Sequence, residues 1–289
     1  MKPSPFTYHR PESLPEALAV LGELGHAGKV LAGGQSLLPM LSMRIVAAEH
    51  LVDINRLSEL AYVRADSTGV RVGALARHTA VFGHDAAAGV QPLLRQALKH
   101  VAHPTIRNRG TTVGSLAHAD PSAELTAVLA LTEGFVTVAH ADGRREVAAA
   151  DFFLGTLEST IEPGELAVEA FFPDFATGTG TAFLEIARRN GDYALCGVAA
   201  AVTKAPDGTV TQARTAYISM SPVPVVLSIG DCHGDPAEVM SWQAAAEQAA
   251  AQLEPESDLH ASADYRRQLA RVLTARALAA AATPTLNSS

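Results

Sequence analysis

Apolar and polar positions along the 289-residue chain change period several times, and each change marks an element. In "SLPEALAVLGEL" (13–24), Leu14, Leu18 and Leu21 recur at helical spacing. Ser13 can cap the start, and Pro15 and Glu16 suit a first turn, so the spacing predicts a helix. "KVLA" (29–32) reads as a short strand ending at Gly33–Gly34, and a second apolar run, "LLPML", follows. "HLVDI" (50–54) is another strand, which closes a small α/β unit near Asn55. "AYVRADSTGVRVGALA" (61–76) alternates with the period of strands about a turn at Asp66–Gly69. "HTAVFGH" can start a helix, "GVQPLLRQALKHVA" (89–102) reads as one helix, and "HPTIRNRGTTVGSLAHADPSAE" (103–124) as a long glycine-rich loop. A helix over 122–133 and a hairpin over 135–147, turning at Asp142–Gly143, come next. Beyond residue 175 the pattern is a strand, a loop and two further strands, then an Ala-rich amphipathic helix over 262–282. The tail "TPTLNSS" is expected to be disordered.

Composition narrows the classes. With 48% hydrophobic and 18% charged residues the chain is globular and too apolar for disorder. A net charge of −8 without a Lys/Arg cluster argues against a nucleic-acid interface. Two cysteines, Cys196 and Cys232, rule out a disulfide framework, and an iron–sulfur cluster wants about four thiolates. They read as reduced thiols of a cytoplasmic protein. No apolar h-region opens the sequence, and no run reaches the roughly 18 residues of a spanning helix, so membrane insertion is not expected. Of the eleven histidines, His100-x-x-His103 and His118-Ala-Asp120 lack a third ligand nearby, and no metal site is expected.

The chemistry lies in two glycine loops. A pyrophosphate is bound best by inward-pointing backbone N–H groups, and side chains obstruct them. Ala32-Gly33-Gly34-Gln35-Ser36 follows a strand and offers successive N–H groups, a hydroxyl and an amide; a tight turn without a ligand is the other reading. The loop is neither a Rossmann G-x-G-x-x-G nor a P-loop. The second stretch supplies Gly110, Thr111, Thr112, Gly114 and Ser115, with a helix expected to begin near Pro121. Asp120 suits either an acceptor for ribityl or ribose hydroxyls or an N-cap. Two such loops suggest one dinucleotide-sized ligand lying between two subdomains.

In order and nearly end to end, "KVLAGGQSLLPML" with "LVDINRLSEL", "HPTIRNRGTTVGSLAHADPSAE", "RRNGDYALCGVAAAV" and "SADYRRQLARVLTARAL" resemble the FAD-binding medium subunits of molybdenum-containing hydroxylases. That family includes carbon monoxide dehydrogenase flavoproteins and the flavin domain of xanthine dehydrogenase. The resemblance implies an α+β chain with the FAD-binding fold of vanillyl-alcohol oxidase (PCMH type). Two N-terminal α/β subdomains, 1–57 and 58–175, would hold FAD, followed by a C-terminal α+β domain of antiparallel sheet and helices, 176–289. It places Ala32, Gly33, Gly34, Gln35 and Ser36 on the FAD pyrophosphate, and Thr111, Gly114 and Ser115 in a second phosphate-side loop. Asp120 would reach the sugar-like chain, Lys29 the adenine end, and Tyr193 one face of the isoalloxazine, as the residue acting on the reacting ring. "VGALARHT" (72–79) matches a cofactor-lining segment that contributes Leu75, His78 and Thr79; His78 could hydrogen-bond the flavin or cap a turn. One departure stands out: Val113 occupies a position the family usually gives to glycine, which would strain it if φ there were positive.

The function implied is that of an FAD-carrying subunit in a heterotrimer, itself open to dimerisation. A large molybdopterin subunit would oxidise the substrate. A small subunit with two [2Fe–2S] clusters would pass electrons to FAD and on to an external acceptor. A stand-alone flavin oxidoreductase of the enolpyruvyl-reductase type and a non-redox nucleotide-binding subunit are the alternatives.

Overall fold

A computed structural model describes residues 2–283. Of the tail expected to be disordered, 284–289 lie outside the described residues. The chain opens with a three-stranded parallel sheet, ordered β1-β3-β2, from β1 (Thr7–His9), β2 (Gly28–Leu31) and β3 (His50–Asp53). Parallel neighbours need a crossover, and α1 (Leu14–Leu24) supplies it. Ser13 Oγ accepts from Glu16 N at 3.3 Å, and Leu18 and Leu21 are buried in the core that also holds Val52. The apolar run after the glycine pair is a short helix, α2 (Leu37–Ser42).

The next block is built on a five-stranded antiparallel sheet. In chain order it runs β4 (Val63–Asp66), β5 (Gly69–Gly73), α3 (His78–Phe82), α4 (Asp85–Val90), α5 (Pro92–Leu98), α6 (Pro104–Arg107), α7 (Thr112–His118) and α8 (Glu124–Leu131). It continues with β6 (Phe135–His140), β7 (Gly143–Ala148), α9 (Ala149–Phe152), the small hairpin β8 (Phe153–Gly155) and β9 (Glu158–Ser159), and β10 (Leu166–Pro173). The sheet order is β4-β5-β10-β6-β7. Both predicted hairpins are present. The strand between them, β10, was not anticipated. Its "LAVEAFFP" is buried at all but Glu169 and Pro173, and a strand covered on both faces shows no alternation.

Two helical expectations need correction. The helix over 89–102 is broken at Gln91, which has φ −127° and ψ 81°. Pro92 follows, and the residue before a proline is pushed out of the helical region. The stretch 103–124 is not a loop: it folds into α6 and α7 before α8 begins. Pro104 starts α6, and Thr111 caps α7 by accepting from Gly114 N at 3.2 Å.

The last block is an antiparallel sheet, in order β11 (Thr179–Ala187), β12 (Ala194–Lys204), β13 (Val210–Ile218) and β14 (Val225–Ser228), with α10 (Gln243–Ala251) and α11 (Ala263–Ala282) on one side. The apolar run of β12 is buried on both faces. Ala199 and Ala201 join the core beneath the first two sheets, whereas Cys196, Val198, Ala200 and Val202 pack with Trp242, Leu273 and Leu278. The molecule is therefore an α+β assembly in which a contiguous core reaches from α1 to the near face of the third sheet. Among the described residues no helix is long and apolar enough to cross a membrane.

Candidate functional site

The two glycine loops meet. A methyl group on Gly33 would lie 2.5 Å from the Arg109 carbonyl oxygen and 2.8 Å from Gly110 Cα, so only a bare backbone permits this approach. Gly34 has φ +71°, a left-handed conformation that glycine adopts freely. The loop's hydrogen bonds leave the N–H groups of Gly33, Gly34, Gln35 and Ser36 without an acceptor; Leu38 N, bonded to Gly34 O at 3.1 Å, is the first committed donor. Successive free N–H groups beside a left-handed residue form an anion-binding concavity. Gln35 Nε2 ties back to Gly33 O at 3.0 Å, which uses one of its two N–H donors and fixes the side chain over the loop. The Ser36 hydroxyl makes no capping bond and stays available.

Two residues absent from the sequence expectations bind the loops together. Asn55 Nδ2 donates to Ala32 O at 2.9 Å. Arg77 donates from NH2 to Asn55 Oδ1 at 2.6 Å and from NH1 to Arg109 O at 2.7 Å. One guanidinium thus holds both loops. Neither Arg77 nor Arg109 has a carboxylate in a salt bridge among the described residues. Burial, then the Arg109 charge, pushes the Arg77 guanidinium below its ordinary value. The Asp53 charge acts on Arg77 in the opposite sense, and a guanidinium tied to both loops beside a row of N–H donors suits a diphosphate. Asn55 and Arg77 carried only a weak signal: both sit in turns just after strands of the first two sheets.

The second loop is supported from behind. His78 is 4% exposed, and its ring packs so closely on Gly110 that a methyl there would lie 2.8 Å from Cδ2. His78 N donates to Gly110 O at 2.9 Å. Burial, helped by Arg107, lowers the imidazole to about 4, so it is neutral. It braces the loop, with its Nδ1 3.4 Å from Thr112 Oγ1. Leu75 lies in the core, and Thr79 Oγ1 is committed to Asn108 at 2.7 Å. Gly114 is required by the cap, since a methyl would meet Thr111 Oγ1 at 2.4 Å. Val113 is an ordinary interior residue of α7, 1% exposed and without positive φ, so the departure carries no strain. Arg107 is occupied by the carbonyls of Val101 and Ala102 at 2.7 and 2.9 Å. Lys29 is exposed on β2 with no bonded partner among the described residues.

Beyond α7 the chain passes Ala119 in a left-handed conformation (φ +52°) and reaches Asp120. Asp120 is not an N-cap. Its Oδ1 accepts from Ser122 N at 2.8 Å in an Asx turn, and the other oxygen is unbonded. Leu157, in strained left-handed backbone (φ +59°), donates its N–H to Ala119 O at 3.0 Å and exposes an apolar side chain beside Asp120. Tyr193 is 69% exposed. Its loop lies on the His103 ring, because Gly191 leaves no room for a methyl there. Partial desolvation on its inner side, then the charges of Asp120 and Glu124, raise its hydroxyl above the ordinary range.

Beneath this edge, burial pushes Glu124 up to about 8, with Glu185 and Asp120 adding to the shift, and burial pushes Glu185 up to about 7. Glu185 Oε2 has no hydrogen-bond partner, and Oε1 lies 3.7 Å from His100 Nδ1. A carboxyl whose folded value is raised favours folding most below its unfolded value of about 4.5 and loses that stability as pH rises through the folded value. Thermal stability should therefore fall between about pH 5 and 8, by on the order of 2 kcal/mol. Glu185→Gln should remove its own share of that fall and leave the share of Glu124, which melting curves across the range would read.

Comparison with known proteins gives a consistent picture. A family model described as the FAD binding domain in molybdopterin dehydrogenase matches residues 4–175, and one described as the CO dehydrogenase flavoprotein C-terminal domain matches 181–281. The carbon monoxide dehydrogenase medium chain of Hydrogenophaga pseudoflava is 39% identical over 283 residues, covering 97% of this chain and 98% of that one. The 6-hydroxypseudooxynicotine dehydrogenase complex subunit alpha of Paenarthrobacter nicotinovorans is also 39% identical, covering 97% and 96%. Among solved structures, quinoline 2-oxidoreductase from Pseudomonas putida 86 superposes with a TM-score of 0.90 at 36% identity over 98% of both chains.

Proposed function

Since the chain belongs to the FAD-binding medium-subunit family of the molybdopterin dehydrogenases, we propose that it is the electron-collecting subunit of a heterotrimeric molybdenum hydroxylase. A large molybdopterin subunit oxidises the substrate, and a small subunit relays electrons through two [2Fe–2S] clusters to the FAD held here. FAD, when bound, accepts electrons singly and delivers them as a pair to an external acceptor. The observation that carries this reading is the meeting of the two glycine loops, with the N–H groups of Gly33, Gly34, Gln35 and Ser36 left free.

The chain's residues fit the cofactor in parts. Gly33, Gly34, Gln35 and Ser36 present N–H groups to the pyrophosphate, and Ser36 adds its hydroxyl. Thr111, Gly114 and Ser115 shape the second loop, with Arg77 and Asn55 fixing the spacing and His78 bracing Gly110. The free oxygen of Asp120 accepts from the ribityl chain, Tyr193 and Leu157 flank the ring, and Lys29 serves the adenine end. The division near residues 57 and 175 follows the change from one sheet to the next. Two free thiols favour a cytoplasmic location.

Tyr193 is assigned the gating role over the ring. Its hydroxyl has no hydrogen-bond partner among the described residues, so the aromatic face matters and the hydroxyl does not. Tyr193→Ala should leave FAD bound and speed flavin reoxidation several-fold, and Tyr193→Phe should behave as the parent, in stopped-flow mixing of the reduced complex with acceptor. Equal rates for all three proteins would remove the gating role. For the assignment as a whole, the native complex should co-purify with molybdenum, iron and flavin; a flavin-free chain without partners would count against it.

A further inference from the structure

Asp120 and Tyr193 come from different blocks of the chain, yet one serine ties their neighbours together. Ser219 sits just after β13 with φ +63°, a left-handed conformation that is strained for serine. In that conformation Ser219 N donates to Pro121 O at 2.8 Å, next to Asp120. Its Oγ lies 2.7 Å from Ala194 O, next to Tyr193, and 2.8 Å from Ser122 Oγ. A carbonyl only accepts and a hydroxyl has one proton, so Ser219 donates to Ala194 O and receives from Ser122.

The serine is itself pinned. Arg266, on α11 and 6% exposed, donates from NH1 to Leu195 O at 2.7 Å and to Ser219 O at 3.2 Å. Its NH2 donates to Asp258 Oδ2 at 2.6 Å, which fixes the guanidinium plane. Burying a guanidinium is unfavourable unless its donors are engaged; here NH1 and NH2 reach two backbone carbonyls and the Asp258 carboxylate, and Nε alone is left without a partner. What the serine and the arginine hold is the separation between residues 121–122 and 194–195.

We propose that Ser219 and Arg266 are positioning residues that set the width of the slot between Asp120 and Tyr193, and so the freedom of the flavin ring within it. This rests on the reading of that slot as the place of the ring. The pyrophosphate grip at Gly33–Ser36 and Gly110–Ser115 is separate from it, so the two functions can be lost independently.

The test uses the full chain reconstituted with FAD, with ADP as a probe that carries the diphosphate and no ring. Ser219→Ala removes the hydroxyl and keeps every backbone bond. ADP affinity, competed against FAD, should match the parent. Iodide quenching of the flavin should rise about fivefold, the population change expected from losing one hydrogen bond, and the visible circular dichroism of the flavin should weaken. Arg266→Lys should give the same signature, and Ser219→Ala decides the matter should that variant fold poorly. Unchanged quenching and dichroism with ADP binding intact would overturn the inference while leaving the pyrophosphate site standing. Failure of the parent chain to bind either ADP or FAD would overturn the reading of the slot, and the inference with it.

Discussion

Gly33→Ala is expected to leave the protein without its flavin. The added methyl would overlap the Arg109 carbonyl at 2.5 Å and Gly110 Cα at 2.8 Å, both of them backbone atoms that cannot swing aside. The two loops must separate, at a cost of about 3 kcal/mol, or roughly a hundredfold in affinity. The obstruction falls on the partner loop and not directly on the phosphates. The neighbouring glycine makes a useful contrast. A methyl on Gly34 meets mainly the flexible end of Leu38 at 2.9 Å, and the penalty there is the left-handed backbone, about 1 kcal/mol. Gly22→Ala, which meets nothing within 4 Å, is the control. Fluorescence titration with FAD should rank the losses Gly33, then Gly34, with Gly22 unaffected. Full occupancy of Gly33→Ala would mean that contact between the loops does not shape the site.

Arg77→Met should rank next. The substitution keeps much of the side-chain volume and deletes the donors to Asn55 Oδ1 and Arg109 O. Hydrogen bonds from a charged donor contribute about 1.5–3 kcal/mol each, and the equivalent of one of the two felt at the FAD site corresponds to a loss of affinity on the order of tenfold to a hundredfold. Arg77→Lys should rescue little. The two acceptors lie on different loops and are reached by two nitrogens of one rigid plane, a geometry a single ammonium does not reproduce. Salt separates the clamp from a simple field effect. If Arg77 acted only as a charge, Lys would substitute well and the defect would fade at high ionic strength. A lysine variant with parental affinity would contradict the clamp.

The two loops of the candidate site were legible in the sequence because backbone chemistry announces itself. A Gly-Gly pair directly after a strand, and a second run of Gly, Thr and Ser, can be read without coordinates, and both lie where the anion-binding geometry is found. What could not be read were the long-range ties. Asn55 and Arg77 look like ordinary turn residues until the fold places Arg109 beside them, 32 positions along the chain from Arg77. Ser219 gives no sign in "ISMSP" that it is left-handed or that it reaches back to residues 121 and 122. The secondary-structure errors had local causes. Gln91 stopped a helix because Pro92 follows it, and 103–124 looked like a loop because its two helices are only four and seven residues long. Strand β10 and helix α10 escaped because neither has a clean polar face: one is buried on both sides and the other is mostly alanine.

The central claim is that the free backbone N–H groups of Gly33–Ser36, held in place against Gly110, grip the diphosphate of one FAD. Hydrogen exchange of those amides, measured on the full chain with and without ligand, tests it most directly. The account predicts that FAD and ADP each protect the amides of Gly33, Gly34, Gln35 and Ser36 by about tenfold or more, whereas riboflavin, which has no phosphate, does not. Exchange at these four amides that is indifferent to FAD, with protection appearing elsewhere in the chain, would contradict it.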